Sequence, residues 1–142
     1  MSDQATTTVH VKHRFTTSPE RVFDAWLDPE KARQFLFASP TGQMVRAETD
    51  PRVGGRFTFT DRRDGEDVVH TGEYREIDRP HRLVFTFAVP KYSSQATRVT
   101  IEIVPLDSGC ELTLIHEGVP PEYAERNVEG WSRILAGLAA IG

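Results

Sequence analysis

The pattern of apolar and polar positions divides the chain into a run of strands and one long helix near its end. From Glu122 to Ile141, Ala124, Val128, Trp131, Leu135 and Leu138 recur at helical spacing, and Ile134 and Ile141 widen that line to a stripe. Glu122, Glu125, Arg126, Glu129 and Arg133 fall off it. Pro120 and Pro121 give the run a sharp start, so the pattern predicts a helix over Pro121–Ile141. Covering its apolar side chains would contribute roughly 10–20 kcal/mol gross, at about 1.5–3 kcal/mol each. Such a helix needs an apolar surface to lie on.

The rest of the chain supplies a sheet. Val9, Val11, His13 and Phe15 alternate with His10, Lys12 and Arg14, a half-buried strand. Ser18-Pro19-Glu20 opens a helix whose inner side is Val22, Phe23, Trp26 and Leu27. Asp28-Pro29-Glu30 repeats the device for a second short helix with Ala32, Phe35 and Leu36 inside, so helices are expected over Ser18–Leu27 and Pro29–Phe37. Ala38–Gln43 reads as a loop and Met44–Glu48 as a short strand. Phe57 and Phe59 then alternate with polar residues up to the hairpin signal Asp64-Gly65. Val68, His70, Gly72 and Tyr74 share a parity that Ile77 breaks, which predicts a bulge near Glu76. Leu83, Phe85, Phe87 and Val89 share one face of the next strand, and Val84 and Thr86 the other. Pro90–Gln95 is a loop. Thr97, Val99, Ile101 and Ile103, then Leu112, Leu114 and His116, complete the dry face, with Ile115 on the wet one. Hairpin follows hairpin, so the sheet is antiparallel. The fold class is α+β: a curved antiparallel sheet of six to seven strands gripping a C-terminal helix, with two short helices after the first strand.

With 142 residues the chain is a single domain, 1–142, with a loose start over Met1–Thr6. A net charge of −4 argues against nucleic acid or an anionic membrane as partner. The one cysteine, Cys110, leaves no internal disulfide. The polar N-terminus lacks the features of a signal peptide, and no apolar run reaches spanning length, so the expected location is the cytoplasm.

Several stretches in sequence order carry a resemblance. They are Ser18-Pro19-Glu20-Arg21-Val22-Phe23-Asp24-Ala25-Trp26, Asp28-Pro29-Glu30, Asp50-Pro51-Arg52-Val53-Gly54-Gly55-Arg56-Phe57 and Gly72-Glu73-Tyr74 with Leu83-Val84-Phe85-Thr86. Leu112-Thr113-Leu114-Ile115-His116-Glu117-Gly118 and Gly130-Trp131-Ser132 complete the set. Together the chain resembles the START-like (SRPBCC) helix-grip superfamily, in the branch named after the activator of the ninety-kilodalton heat-shock chaperone's ATPase. Phe35-Leu36-Phe37 departs from it where relatives often carry a tryptophan, and Cys110 where a threonine is common. The resemblance implies a cavity between sheet and long helix that takes an apolar or amphipathic molecule. The name of the branch implies, as an alternative, a chaperone partner, which is analogy at the level of fold.

The candidate lining of that cavity is Phe35, Phe37, Phe57, Phe59, His70, Tyr74, Phe85, Phe87, His116 and Trp131. The four sheet phenylalanines suit a flat apolar ligand as well as ordinary core packing. His13, His70 and His116 share the dry parity, but lie on separate strands at no metal-ligand spacing, so neither a metal nor a cofactor is expected. A catalytic reading, the second alternative, would rest on His70, Tyr74 or His116, with Thr97 further off and His116 looking towards Trp131. No catalytic residue is assigned. Glu73, Glu102, Glu111 and Glu117 share the wet parity with Arg56, Arg75 and Arg98. An interaction module would instead present an apolar patch at Ile115 and Val84. The expected state is a monomer or weak dimer.

Overall fold

The computed structural model describes residues 6–36, 43–89 and 96–141. Residues 1–5 of the expected loose start, almost all of the loop Ala38–Gln43, the loop Pro90–Gln95 and the candidate Phe37 lie outside them.

Local chemistry sets the first helices. In α1 (Pro19–Leu27) the Ser18 side chain accepts from the Arg21 N–H at 3.3 Å, and Pro19 occupies the first turn. Asp28 serves two helices. Its backbone N–H closes α1 on the Asp24 carbonyl at 3.0 Å, and its side chain caps α2 (Pro29–Phe35) by accepting from the Glu30 N–H at 2.9 Å. The Leu36 N–H closes the second helix on the Ala32 carbonyl at 2.7 Å, so it ends at Phe35, two residues before the predicted Phe37.

Seven strands follow the alternation: β1 (Thr7–Phe15), β2 (Gln43–Thr49), β3 (Arg56–Arg63), β4 (Glu66–Asp78), β5 (Arg82–Phe87), β6 (Thr97–Leu106) and β7 (Gly109–Val119). They form one antiparallel sheet in the order β1-β7-β6-β5-β4-β3-β2. Asp64 and Gly65 both take positive φ, the twist a two-residue hairpin needs. Strand β4 pairs with β3 through Glu73 and with β5 from Tyr74 onward, and its register shifts between Tyr74 and Glu76, where the bulge was expected. Gly72 sits at this bend. A Cβ there would lie 1.8 Å from the Thr86 carbonyl and 2.6 Å from the Phe57 ring, so only glycine lets β5 and Phe57 approach.

A single 3-10 turn, Pro121–Tyr123, leads into α3 (Ala124–Ile141). Trp131, Leu135 and Leu138 of α3 are buried in one core with the inner face of the sheet and with Val22, Phe23 and Trp26 of α1. Val128, placed on the apolar stripe by spacing, is instead 39% exposed, because the stripe overruns the covered part of the helix.

The outer face departs from simple alternation. Val84, expected on the wet side, is fully buried, and Ile115 is half-buried. Val84 lies between Thr100 and Glu76 on the central strands. Beside it Arg82 spans both neighbours, reaching Glu76 at 3.3 Å and Glu102 at 2.7 Å. A short side chain in the middle of a wide sheet is shaded by the long ones around it. Among the described residues, no helix is long and apolar enough to cross a membrane.

Candidate functional site

The strand registers align side chains in rows across the inner face. One row, Val11, Leu114, Ile101, Leu83 and Ile77, is wholly apolar. A neighbouring row is Val9, His116, Val99, Phe85 and Tyr74. His70 on β4 is paired with Phe59, two residues along from the Gly72–Phe57 pair. His70 and His116 are both brought against Phe87, whereas His13 is half-buried near the far end of β1, its ring against Phe15.

His116 is held by a defined chain of hydrogen bonds. The Trp131 indole N–H donates to its Nδ1 at 3.0 Å. That nitrogen is therefore the acceptor, and the ring proton sits on Nε2. The Nε2–H donates to the Thr97 hydroxyl at 2.6 Å, which itself donates to the Phe87 carbonyl at 3.1 Å. Both ring nitrogens are thus engaged. Burial pushes the His116 pKa down to about 4, with the Asn127 side chain acting in the opposite sense.

His70 takes the other tautomer. Its Nδ1 faces the Phe59 carbonyl at 3.3 Å, and a carbonyl can only accept. Its pKa also falls to about 4, first by burial and then by the Arg63 charge. Its ring stacks on Phe87 with centroids 6.1 Å apart, and Phe87 meets His116 at 5.8 Å and Trp131 at 6.0 Å. Tyr74 is buried as well. Burial, then the Asp50 carboxylate, raises its phenol above the ordinary range. His70, Tyr74 and His116 are therefore uncharged at neutral pH.

The remaining candidates form a second ring cluster. Phe57 contacts Phe59 at 5.9 Å, Tyr74 at 5.5 Å and Phe85 at 5.3 Å. Phe85 continues to Trp26, and Trp26 to Phe35 at 5.4 Å. Two members of this interior were not among the sequence candidates. Trp26 is one; its indole Nε1 is buried without a hydrogen-bond partner among the described residues. Asp61 is the other: a carboxylate with no exposed surface, bound to Arg63 at 2.7 Å and close enough to act on His70. Strict alternation from Phe57 and Phe59 places Asp61 on the dry face, and that parity is the signal that could have found it.

The two imidazoles are poorly suited to proton transfer at neutral pH. A histidine with a pKa near 4 is a weak base for work at pH 7, and the His116 nitrogens already have partners. Among the described residues, no group of three His, Cys, Asp or Glu side chains could hold a metal ion. Cys110 is buried, and burial raises its thiol pKa, which opposes a reactive thiolate.

The model of the family described as activator of Hsp90 ATPase homolog 1-like protein matches residues 16–142. The chain belongs to this family. A crystal structure of a Chromobacterium violaceum protein is similar, with 27% identity, 94% of this chain and 95% of that one covered, and a TM-score of 0.86. A Staphylococcus aureus protein of unknown function shares the fold at 18% identity, with 96% and 93% covered and a TM-score of 0.85. An AHSA1-like protein from Aeromonas hydrophila shares it at 19% identity, with 94% and 90% covered and a TM-score of 0.81. None of the curated proteins matches the chain.

Proposed function

We propose that this family member binds a small apolar or amphipathic ligand between the sheet and α3, against the rings of His70, Phe87, His116 and Trp131. The observation that carries this reading is the state of Phe87. Its ring touches three buried rings, yet it remains partly accessible. A partly accessible aromatic residue among buried rings offers apolar surface to a ligand. The neutral imidazoles beside it flank a ligand without the desolvation cost of a charge.

The test is thermal unfolding against a panel of flat aromatic compounds and fatty acids, combined with emission from Trp131 in a Trp26→Phe variant, which leaves one tryptophan. A ligand at a hundred times its Kd adds about 2.7 kcal/mol of stability. We expect at least one class to raise Tm and shift Trp131 emission, and Phe87→Ala to remove both effects. If no class moves either signal, the reading fails. The interaction-module alternative asked for an apolar patch at Val84 and Ile115. Val84 is fully buried and Ile115 half-buried, so Val84 adds nothing to such a patch.

A further inference from the structure

A concavity lies outside the ring clusters, where the end of β1, α1, the first turn of α2 and the last turns of α3 meet. Its volume is about 210 Å³. None of the residues discussed for the central site lines it. The floor is apolar and buried: Phe15, Val22, Ala25 and Leu138. The rim carries Arg14, Arg21 and Lys31 with the hydroxyls of Thr16 and Thr17, and its lining includes no carboxylate.

Three cations around one small apolar hollow are unexpected in a chain of net charge −4. Arg14 has a partner in Glu111, at 3.4 Å and with 77% of the arginine side chain exposed. Arg21 and Lys31 have no ion-pair partner within 4.0 Å among the described residues. Lys31 acts on Asp24 from a distance, but that carboxylate is already held by Arg79 at 2.7 and 2.9 Å. Arg21 and Lys31 are thus left without a close carboxylate of their own among the described residues.

We infer that this hollow is a separate binding site for a small amphipathic monocarboxylate, with its hydrocarbon or aromatic body on Val22, Ala25 and Leu138 and its carboxylate between Arg21 and Lys31. The apolar floor selects against strongly hydrated, multiply charged anions, whose uncharged part would be too small to cover it. A guanidinium fork fits a carboxylate by two parallel hydrogen bonds. The volume is below the roughly 300 Å³ at which sites for drug-sized ligands begin, so the body is a short chain or a single ring.

The test is an NMR titration of the full chain with 4-methylbenzoate at constant ionic strength, beside the uncharged 4-methylbenzamide of the same shape. We expect saturable shifts at Phe15, Val22, Ala25 and Leu138, and affinity at least about tenfold above that of the amide. The double variant Arg21→Gln/Lys31→Gln, at two exposed positions, should lose about tenfold in affinity with an unchanged melting temperature. Equal binding of acid and amide, wild-type affinity in the double variant, or no saturable shift at the floor would each overturn the inference. Shifts confined to Phe87, His116 and Trp131 would overturn it too, while supporting the central site.

Discussion

Protonating His116 would set two donors against each other, since its Nδ1 already accepts from the Trp131 indole. The same bond explains why Trp131 is more than a large apolar anchor. Trp131→Phe keeps most of the ring and removes only the donor, leaving Nδ1 buried without that partner. We expect a loss of about 1–3 kcal/mol in urea unfolding. In a double-mutant cycle with His116→Phe, the tryptophan change should then cost much less. Additive losses would show that the two side chains are not coupled. At this scale the sequence was partly legible. Parity placed His70, Tyr74 and His116 inside, and His116 does look towards Trp131. The engagement of Thr97 with His116 depends on the β6–β7 pairing, and Asp61 was overlooked although its parity was visible.

Two element junctions carry much of the local specification. Asp28 ends one helix and caps the next, so Asp28→Ala removes the side-chain acceptor for Glu30 N–H, while Asp28→Asn keeps one. The alanine variant should lose about 0.5–2 kcal/mol and the asparagine variant far less; similar losses for the two would deny the capping role. At the β4 bend, Gly72→Ala drives a methyl against the Thr86 carbonyl and the Phe57 ring. Overpacking of this kind costs about 1–3 kcal/mol, and here the backbone itself must move, so the upper part of that range is expected in denaturant unfolding. A neutral substitution would mean that β5 shifts freely. These elements were readable because caps, hairpin turns and alternation act over a few residues. The burial of Val84 was not, because it depends on Thr100, Glu76 and the Arg82 bridges, which only the assembled sheet brings together.

Across the molecule, the pairing of β1 with β7 sets the first strand beside the last, and α3 packs on the inner face of the sheet. That packing buries two histidines in their neutral form, which links stability to pH. Each has an ordinary pKa of 6.5 and a folded value of about 4. Between those values the unfolded chain binds protons that the folded one refuses, so stability rises with pH. The contribution is complete above about pH 6.5 and is lost as pH falls towards 4, at up to about 1.4 kcal/mol per pH unit for each histidine. The Asp24 carboxyl, held low by its hydrogen bonds to Arg79, also loses stability in acid, but its ordinary value is 3.8, so most of its effect lies below this window. Urea midpoints at a series of pH values from 7 to 4.5 therefore separate the two sources. We expect a steep fall from pH 6.5 downward in the wild type, and a flatter curve in His70→Gln/His116→Gln, whose amides can still donate and accept in place of the rings. A wild-type curve that stays level to pH 4.5 would mean that neither imidazole is held neutral by the fold.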